Sequence, residues 1–308
     1  MTERITETAG ADVRRQVVRL CGVHTLATMR IATEAVDQDL ITTLMFLAVS
    51  RANTREVTQQ AQRSGAFSGI DQIPPDDLRR PVSVYALARE LGLPYETARR
   101  HAQKLAAAGL CERMEDGLVI PAAVYRREAM LAAVEHNWAE TRRFIQALAD
   151  FGVRGEAETP IAVPDARRQV MRVSVEFLLE SLGMLTDARE IDFLGALLCI
   201  AITLGNTRHL TEDPSAPYAG LNEVPPDALR KPVSVYALAK ILRLPYETTR
   251  RHAGQLVEVG YADRTAGGGL IVPARVVLIP SLMAAVETNW RATVRFLDVL
   301  VQLGVTAS

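Results

Sequence analysis

The sequence predicts a mainly α-helical protein built as two tandem copies of one domain, and three observations carry that expectation. Apolar residues recur at three- and four-residue spacing over long stretches, the period of helices that bury one face. One long segment occurs twice: residues 74–113 read PPDDLRRPVSVYALARELGLPYETARRHAQKLAAAGLCER, and residues 225–264 read PPDALRKPVSVYALAKILRLPYETTRRHAGQLVEVGYADR, about two-thirds of them identical. Directly after the helical part of each copy comes a short strand, turn, strand pattern.

The similarity extends well beyond this segment. Asp12-Val13-Arg14-Arg15-Gln16-Val17 answers to Asp165-Ala166-Arg167-Arg168-Gln169-Val170, and Asn53-Thr54-Arg55 to Asn206-Thr207-Arg208. Toward the C-terminal side, Ala132-Ala133-Val134-Glu135 with Asn137-Trp138 answers to Ala284-Ala285-Val286-Glu287 with Asn289-Trp290. The repeating unit is therefore a whole domain rather than a short solenoid repeat. The expected boundaries are 1–154 and 164–308, joined by 155–163, whose Gly, Pro and acidic residues suit a linker. A chain of 308 residues fits two domains of about 150 residues, each large enough to bury its own core.

In each copy the elements follow in order. Two helices lead, over 14–36 and 39–57, by their apolar period. Ser83 is placed to cap a short helix whose apolar stripe is Val84, Leu87 and Leu91. It stops at Gly92, and Pro94 suits the start of a second helix because no amide donor is needed there. That helix runs from about 95 to 108, buries Ala98, Ala102, Leu105 and Ala106, and ends at Gly109 in the left-handed conformation. Strands are expected at 110–113 and 118–120 around Glu115-Asp116-Gly117, with Asp-Gly as the hairpin signal. In the second copy the tip Ala266-Gly267-Gly268-Gly269 is one residue longer. Residues 122–151 and 274–303 form long helices, the second interrupted at Pro280. The fold class is thus mainly α, with two tandem winged helix-turn-helix domains, each having leading helices, a short β-hairpin wing and a long C-terminal helix.

The segment LGLPYETARRHAQKLAAAGL followed by a hairpin resembles bacterial winged helix-turn-helix transcriptional regulators of the broad MarR, GntR and IclR kind. The resemblance covers the DNA-binding unit of each copy and implies double-stranded DNA as the partner.

Composition sets limits. Hydrophobic residues are 48% and charged residues 23% of the chain, ordinary globular usage. The most apolar stretch, 193–204, is well short of the roughly 20 residues needed to span a bilayer and reads as a buried helix or a dimer interface; no membrane partner is expected. The segment MTERITETAG lacks the apolar core of a signal peptide, so a cytoplasmic, nucleoid-associated protein is expected. Cys21, Cys111 and Cys199 are too dispersed for a disulfide framework or a zinc site, and His24, His136 and His209 show no ligand spacing. Neither metal nor cofactor is called for. No phosphate-cradling glycine loop or nucleophile elbow occurs, and an enzyme is not expected.

The net charge of −1 hides a local imbalance. Residues 79–113 contain seven basic residues against three acidic ones, and so do residues 230–264. On the second helix of the pair, Glu96, Arg99, Arg100 and Gln103 lie opposite the alanine face, where they would reach base edges in the major groove. Tyr95, Thr97, His101 and Lys104 are assigned to backbone contacts. The second-copy counterparts are Tyr246, Glu247, Thr248, Arg250, Arg251, His252 and Gln255. Arg113 and Arg264, at the wing bases, are assigned to phosphates or the minor groove. Tyr85 and Tyr236 read as packing residues, and Trp138 and Trp290 as core or interface anchors.

The function expected is a sequence-specific transcriptional regulator placing two recognition helices from one chain on a pseudo-palindromic site. The alternative is a winged-helix protein-interaction scaffold that binds no DNA. A small-molecule effector and a homodimer are both left open.

Overall fold

The computed structural model describes residues 12–161, 163–189, 191–211 and 217–307; the N-terminal segment read for targeting lies outside them. The protein is mainly helical, with eleven α-helices and two small sheets among the described residues. The first copy comprises α1 (Arg14–Val36), α2 (Leu40–Ser64), α3 (Val84–Glu90), α4 (Tyr95–Ala107), the hairpin β1 (Glu112–Met114) and β2 (Gly117–Val119), and α5 (Glu128–Asp150). The second repeats this order as α6 (Arg167–Arg189), α7 (Phe193–Thr207), α8 (Val235–Leu242), α9 (Tyr246–Glu258), β3 (Asp263–Arg264), β4 (Leu270–Ile271), α10 (Ala274–Val277) and α11 (Pro280–Gln302). Pro280 opens α11 rather than kinking a longer helix, as its missing amide donor allows.

Local chemistry sets these boundaries. Asp39 and Asp192 cap α2 and α7 by accepting from the Thr42 and Gly195 amides; Ser83 and Ser234 do the same for α3 and α8. Gly92, after α3, has φ +62°; its counterpart Arg243 takes φ +51° despite its side chain, which reaches Glu34 on α1 at 2.8 Å. The hairpins sit against the leading helices through one asparagine each. The Asn53 amide nitrogen donates to the carbonyls of Arg80 (2.7 Å) and Leu118 (3.1 Å), and its oxygen accepts from the Ile120 amide at 2.8 Å. Asn206 makes the equivalent three bonds to Lys231, Leu270 and Val272.

The hydrophobic core is not closed within each copy. One continuous buried cluster joins Leu44, Leu47, Leu87 and Leu105 of the first copy to Leu178, Leu197, Leu238 and Leu256 of the second. A second cluster draws on four long helices: Val17 and Cys21 from α1, Phe144 and Leu148 from α5, Val170 and Phe177 from α6, and Phe296 and Leu300 from α11. Trp138 and Trp290 pack against it. Phe193–Leu210 has the length and hydropathy to cross a membrane, but Leu194, Leu197, Leu198 and Ile202 are buried in the shared core.

Polar contacts between the copies are reciprocal. From α6, the Arg168 guanidinium donates to the Ile70 carbonyl (2.9 Å from Nε), and the amides of Arg168 and Gln169 both donate to the Ser68 carbonyl. Arg172 reaches the Phe67 carbonyl at 2.7 Å. From α1, Arg15 donates to the Leu221 carbonyl, Arg19 to that of Tyr218 and the Gln16 amide to that of Ala219. Asp165 accepts from the Ile70 amide and Asp12 from the Leu221 amide. Each copy thus holds the other's loop through the same Asp-x-Arg-Arg-Gln sequence.

At the centre of the four-helix cluster the symmetry breaks. Phe144 stacks on His24 with ring centroids 4.4 Å apart, and Phe177 stacks on Phe296 at 4.8 Å. By the repeat, His24 corresponds to Phe177 and its neighbour Glu140 to Ala292. Neither His24 ring nitrogen has a hydrogen-bond partner, and Glu140 stands 3.7 Å from Nδ1, beyond hydrogen-bond reach. Replacing an imperfect buried polar pair by well-packed apolar groups is often neutral or stabilising. The double variant His24→Phe, Glu140→Ala, which copies the second half and gives up only the exposed Arg143 contact of Glu140, should be as stable as the parent or more so by about 1–2 kcal/mol; urea unfolding measures it.

Candidate nucleic-acid interface

In each copy a short helix, a tight turn, a longer helix and a two-stranded hairpin follow one another, and the packing decides which faces stay free. On α4, Ala98, Ala102 and Leu105 are buried against the core. On α9 the buried set is Thr249, Ala253 and Leu256, with the Thr249 hydroxyl donating back to the Pro245 carbonyl. The opposite faces carry Glu96, Arg99, Arg100 and Gln103 in one copy and Glu247, Arg250 and Arg251 in the other, all exposed, with Gln255 exposed at the position of Lys104. The structure therefore groups the residues assigned to base contact on one free face per copy. Tyr95 and Tyr246 are exposed at the helix starts, and Thr97 and Thr248 are half-buried beside them.

Within these faces Arg99 pairs with Glu96 at 2.7 Å, and Arg250 with Glu247 at 2.8 Å. Exposed pairs one helical turn apart are worth only about 0.3–0.5 kcal/mol, so a stronger acceptor draws the guanidinium away at little cost. Where the first copy has Gln103 the second has Gly254, and a shallow depression runs between Arg250, Arg251 and Gln255.

Two assignments are corrected. His101 and His252 are buried, at 3% and 9% exposure, and do not lie on the free faces. His101 stands three residues after Ala98 and four before Leu105, within the apolar stripe. Its Nδ1 lies 2.7 Å from the Thr42 hydroxyl, which itself donates to Asp39. The one hydroxyl hydrogen is thus committed to Asp39, and His101 Nδ1 carries a proton and donates. His252 faces Asp192, the corresponding cap, at 3.8 Å. Lys104 stays exposed and pairs with Asp39 at 2.8 Å, a surface contact as weak as that between Arg99 and Glu96. Burial pulls the Asp39 carboxyl upward, but Lys104 and the Thr42 bonds outweigh this and leave it below the usual range.

Two of the counted basic residues are not at the surface either. Arg79 and Arg230 are buried, each bonded to an aspartate three residues earlier. Arg80 pairs with Glu56 at 3.1 Å. Arg113 and Arg264 are exposed on the first strand of each hairpin. The hairpins turn differently from the sequence expectation: Met114 pairs with Gly117, so Glu115 and Asp116 make the turn. Gly117, at φ +143°, lies in the strand because a Cβ there would stand 2.3 Å from the Val82 carbonyl oxygen. The bridge between Val82 and Leu118 forms at this close approach.

Sequence reasoning missed two residues. Tyr85 and Tyr236 are 63% and 72% exposed, not packed. They lie off the Val84, Leu87, Leu91 stripe, and their recurrence on an exposed helix face was the available signal.

No family model, curated protein or solved structure matches the chain.

Burial holds the His101 and His252 imidazoles below their ordinary range, despite the opposing pull of Asp39 and Asp192. A depressed folded-state value means the unfolded chain binds more protons, so stability is intact above about pH 6.5 and is lost as pH falls below it. Melting temperature should therefore drop between neutral pH and pH about 5.5, and the double variant His101→Gln, His252→Gln should flatten that part of the profile. An unchanged profile in the variant would remove the two histidines from the account. Separately, Asn53→Ala should cost about 2–3 kcal/mol, because the Arg80 carbonyl and the buried Ile120 amide lose their partner, while the Leu118 carbonyl keeps the Val82 amide. Hydrogen exchange should then rise first at Ile120.

Proposed function

We propose that the chain is a sequence-specific double-stranded DNA-binding transcriptional regulator, cytoplasmic and nucleoid-associated, in which 1–154 and 164–308 each supply a winged helix-turn-helix reader. The observation that carries this is the duplicated free face: α4 and α9 spend their apolar sides on the core and leave matching Glu, Arg, Arg sets exposed, although nothing in the fold requires those residues. A helix held only along its back is the geometry that enters a major groove. Arginine is suited to paired bonds with guanine. Tyr85, Tyr95 and Arg113, with their counterparts, flank the face as phosphate contacts.

Reciprocal contacts between the halves are those of an isologous dimer made within one chain. Two readers so related suit half-sites one helical turn apart, about 34 Å, on a site that is only approximately symmetric. Gln103 against Gly254 and the longer second hairpin tip lie behind that asymmetry.

Genome-wide footprinting would supply the operator, and a gel-shift series over ionic strength then tests the assignment. Losing a guanidinium that reads a base costs about 1–3 kcal/mol. Arg99→Ala with Arg250→Ala should therefore reduce operator affinity by about a hundredfold or more while the melting temperature holds. Full operator affinity in that variant would defeat the residue assignment, and no salt-dependent duplex binding by the parent would favour the protein-interaction scaffold.

A further inference from the structure

Two cavities occupy equivalent places in the two halves, and neither is lined by any residue of α4 or α9. The first, about 200 Å³, lies between α2 and α6; the second, about 140 Å³, lies between α7 and α1. Their walls correspond through the repeat, and each is made by both copies. Arg79, Arg168 and Arg172 line the first, and Arg230, Arg15 and Arg19 line the second in the same positions, while Arg51, paired with Glu90, and Arg55 add to the first alone. One arginine of each trio comes from the cavity's own copy and two from the leading helix of the other.

The trios are short of negative charge. The Arg79 and Arg230 side chains are 1% exposed; each pairs with one aspartate through Nε and one carbonyl through Nη2, and each leaves Nη1 without a partner. The other four reach backbone carbonyls and, for Arg19 and Arg172, a glutamine side chain. Glu176 is the one acidic residue lining the first cavity, and the second has none. Burial pushes Arg172 down to about 9, with Arg168 and Arg79 adding to it through their charge. Arg19 falls to about 10 by burial, with Arg15 and Arg230 adding to it. Arg79 also stacks on the Tyr125 ring at 4.8 Å, but grouping three guanidinium ions around a single paired aspartate is costly unless something else offsets it, and an unsatisfied buried donor adds to the cost. The remaining walls include Leu185, Leu204 and Leu282 in the second cavity; in the first, Phe46, Leu47 and Met171 share the wall with polar residues such as Gln59 and Gln62.

We propose that each cavity binds a small amphipathic carboxylate, its head on the three guanidinium groups and its apolar body along the helix walls. A planar guanidinium fork matches a carboxylate through two parallel bonds. Because the head meets arginines from both copies, an occupant acts on the joint that sets one half against the other. As an effector site this rests on the DNA-binding reading; as a binding site it does not.

The test is calorimetric titration of the full chain with butyrate, octanoate and phenylacetate, and with octanamide as the uncharged counterpart of octanoate. At least one carboxylate should bind saturably at two sites per chain, and octanamide should bind at least about tenfold more weakly than octanoate. Arg19→Met with Arg172→Met should abolish binding. Because those arginines also hold loops, a second variant keeps every arginine and fills the cavities: Leu204→Trp with Met171→Trp should keep the parent's circular dichroism and lose the ligand. No saturable carboxylate binding, equal binding of octanamide, or undiminished binding by the filled variant would overturn the proposal. If calorimetry succeeds while no DNA is bound in gel shifts, the cavities stand and the regulator reading falls.

Discussion

Two loops, around residues 67–70 and 218–221, present backbone carbonyls that the guanidinium groups and amides of the opposite copy's leading helix satisfy. Buried backbone polar groups left without partners are costly, so this exchange ties each half's loop to the presence of the other half. The apolar core follows the same logic, since α1 and α6 each bury residues against both copies. The arrangement of the two outward helices is then a consequence of one interface rather than of a free linker. Most soluble oligomers reach such reciprocity with identical chains. Here duplication has placed both partners in one chain.

Fusion releases the two sides of that interface from identity. In a homodimer the residue at the axis must suit itself twice; in a duplicated chain it need not. His24 against Glu140 on one side and Phe177 against Ala292 on the other fill equivalent space with different chemistry. Gly92 has been replaced by Arg243 in a left-handed position, a backbone cost of roughly 1 kcal/mol that the contact with Glu34 helps to offset.

How much of this was legible in the sequence depends on how far apart the interacting groups stand. The α3, α4 and hairpin elements were readable because their signals are local: a serine cap, glycines at left-handed positions and an apolar stripe. The burial of His101 was readable too, since it stands in register with Ala98 and Leu105, but its chemical type suggested a surface role. The hairpin register was missed because Gly117 answers to the Val82 backbone, a contact made 35 residues away. The Asp-x-Arg-Arg-Gln motif was visible as a repeat, yet its role was not. Arg15 and its acceptor at Leu221 are 206 residues apart, and the acceptor is a carbonyl that every residue type supplies.

The same distance effect changes the electrostatic argument. Seven basic residues in each unit looked like one attractive surface, but a count along the chain cannot tell a phosphate contact from an internal strut. Arg79 and Arg230 are buried, Lys104 answers Asp39, and Arg80 answers Glu56. What remains outward in the first unit is Arg80, Arg89, Arg99, Arg100, Lys104 and Arg113, of which Arg80, Arg99 and Lys104 are partly neutralised by Glu56, Glu96 and Asp39. On α9, by contrast, no lysine is diverted to the α7 cap, because Gln255 stands where Lys104 does. The two helix faces therefore differ by Lys104, whose charge Asp39 offsets only in part. Where the second copy has the neutral Gln255, the first has Lys104, an exposed charge that shares the carboxylate capping the neighbouring helix.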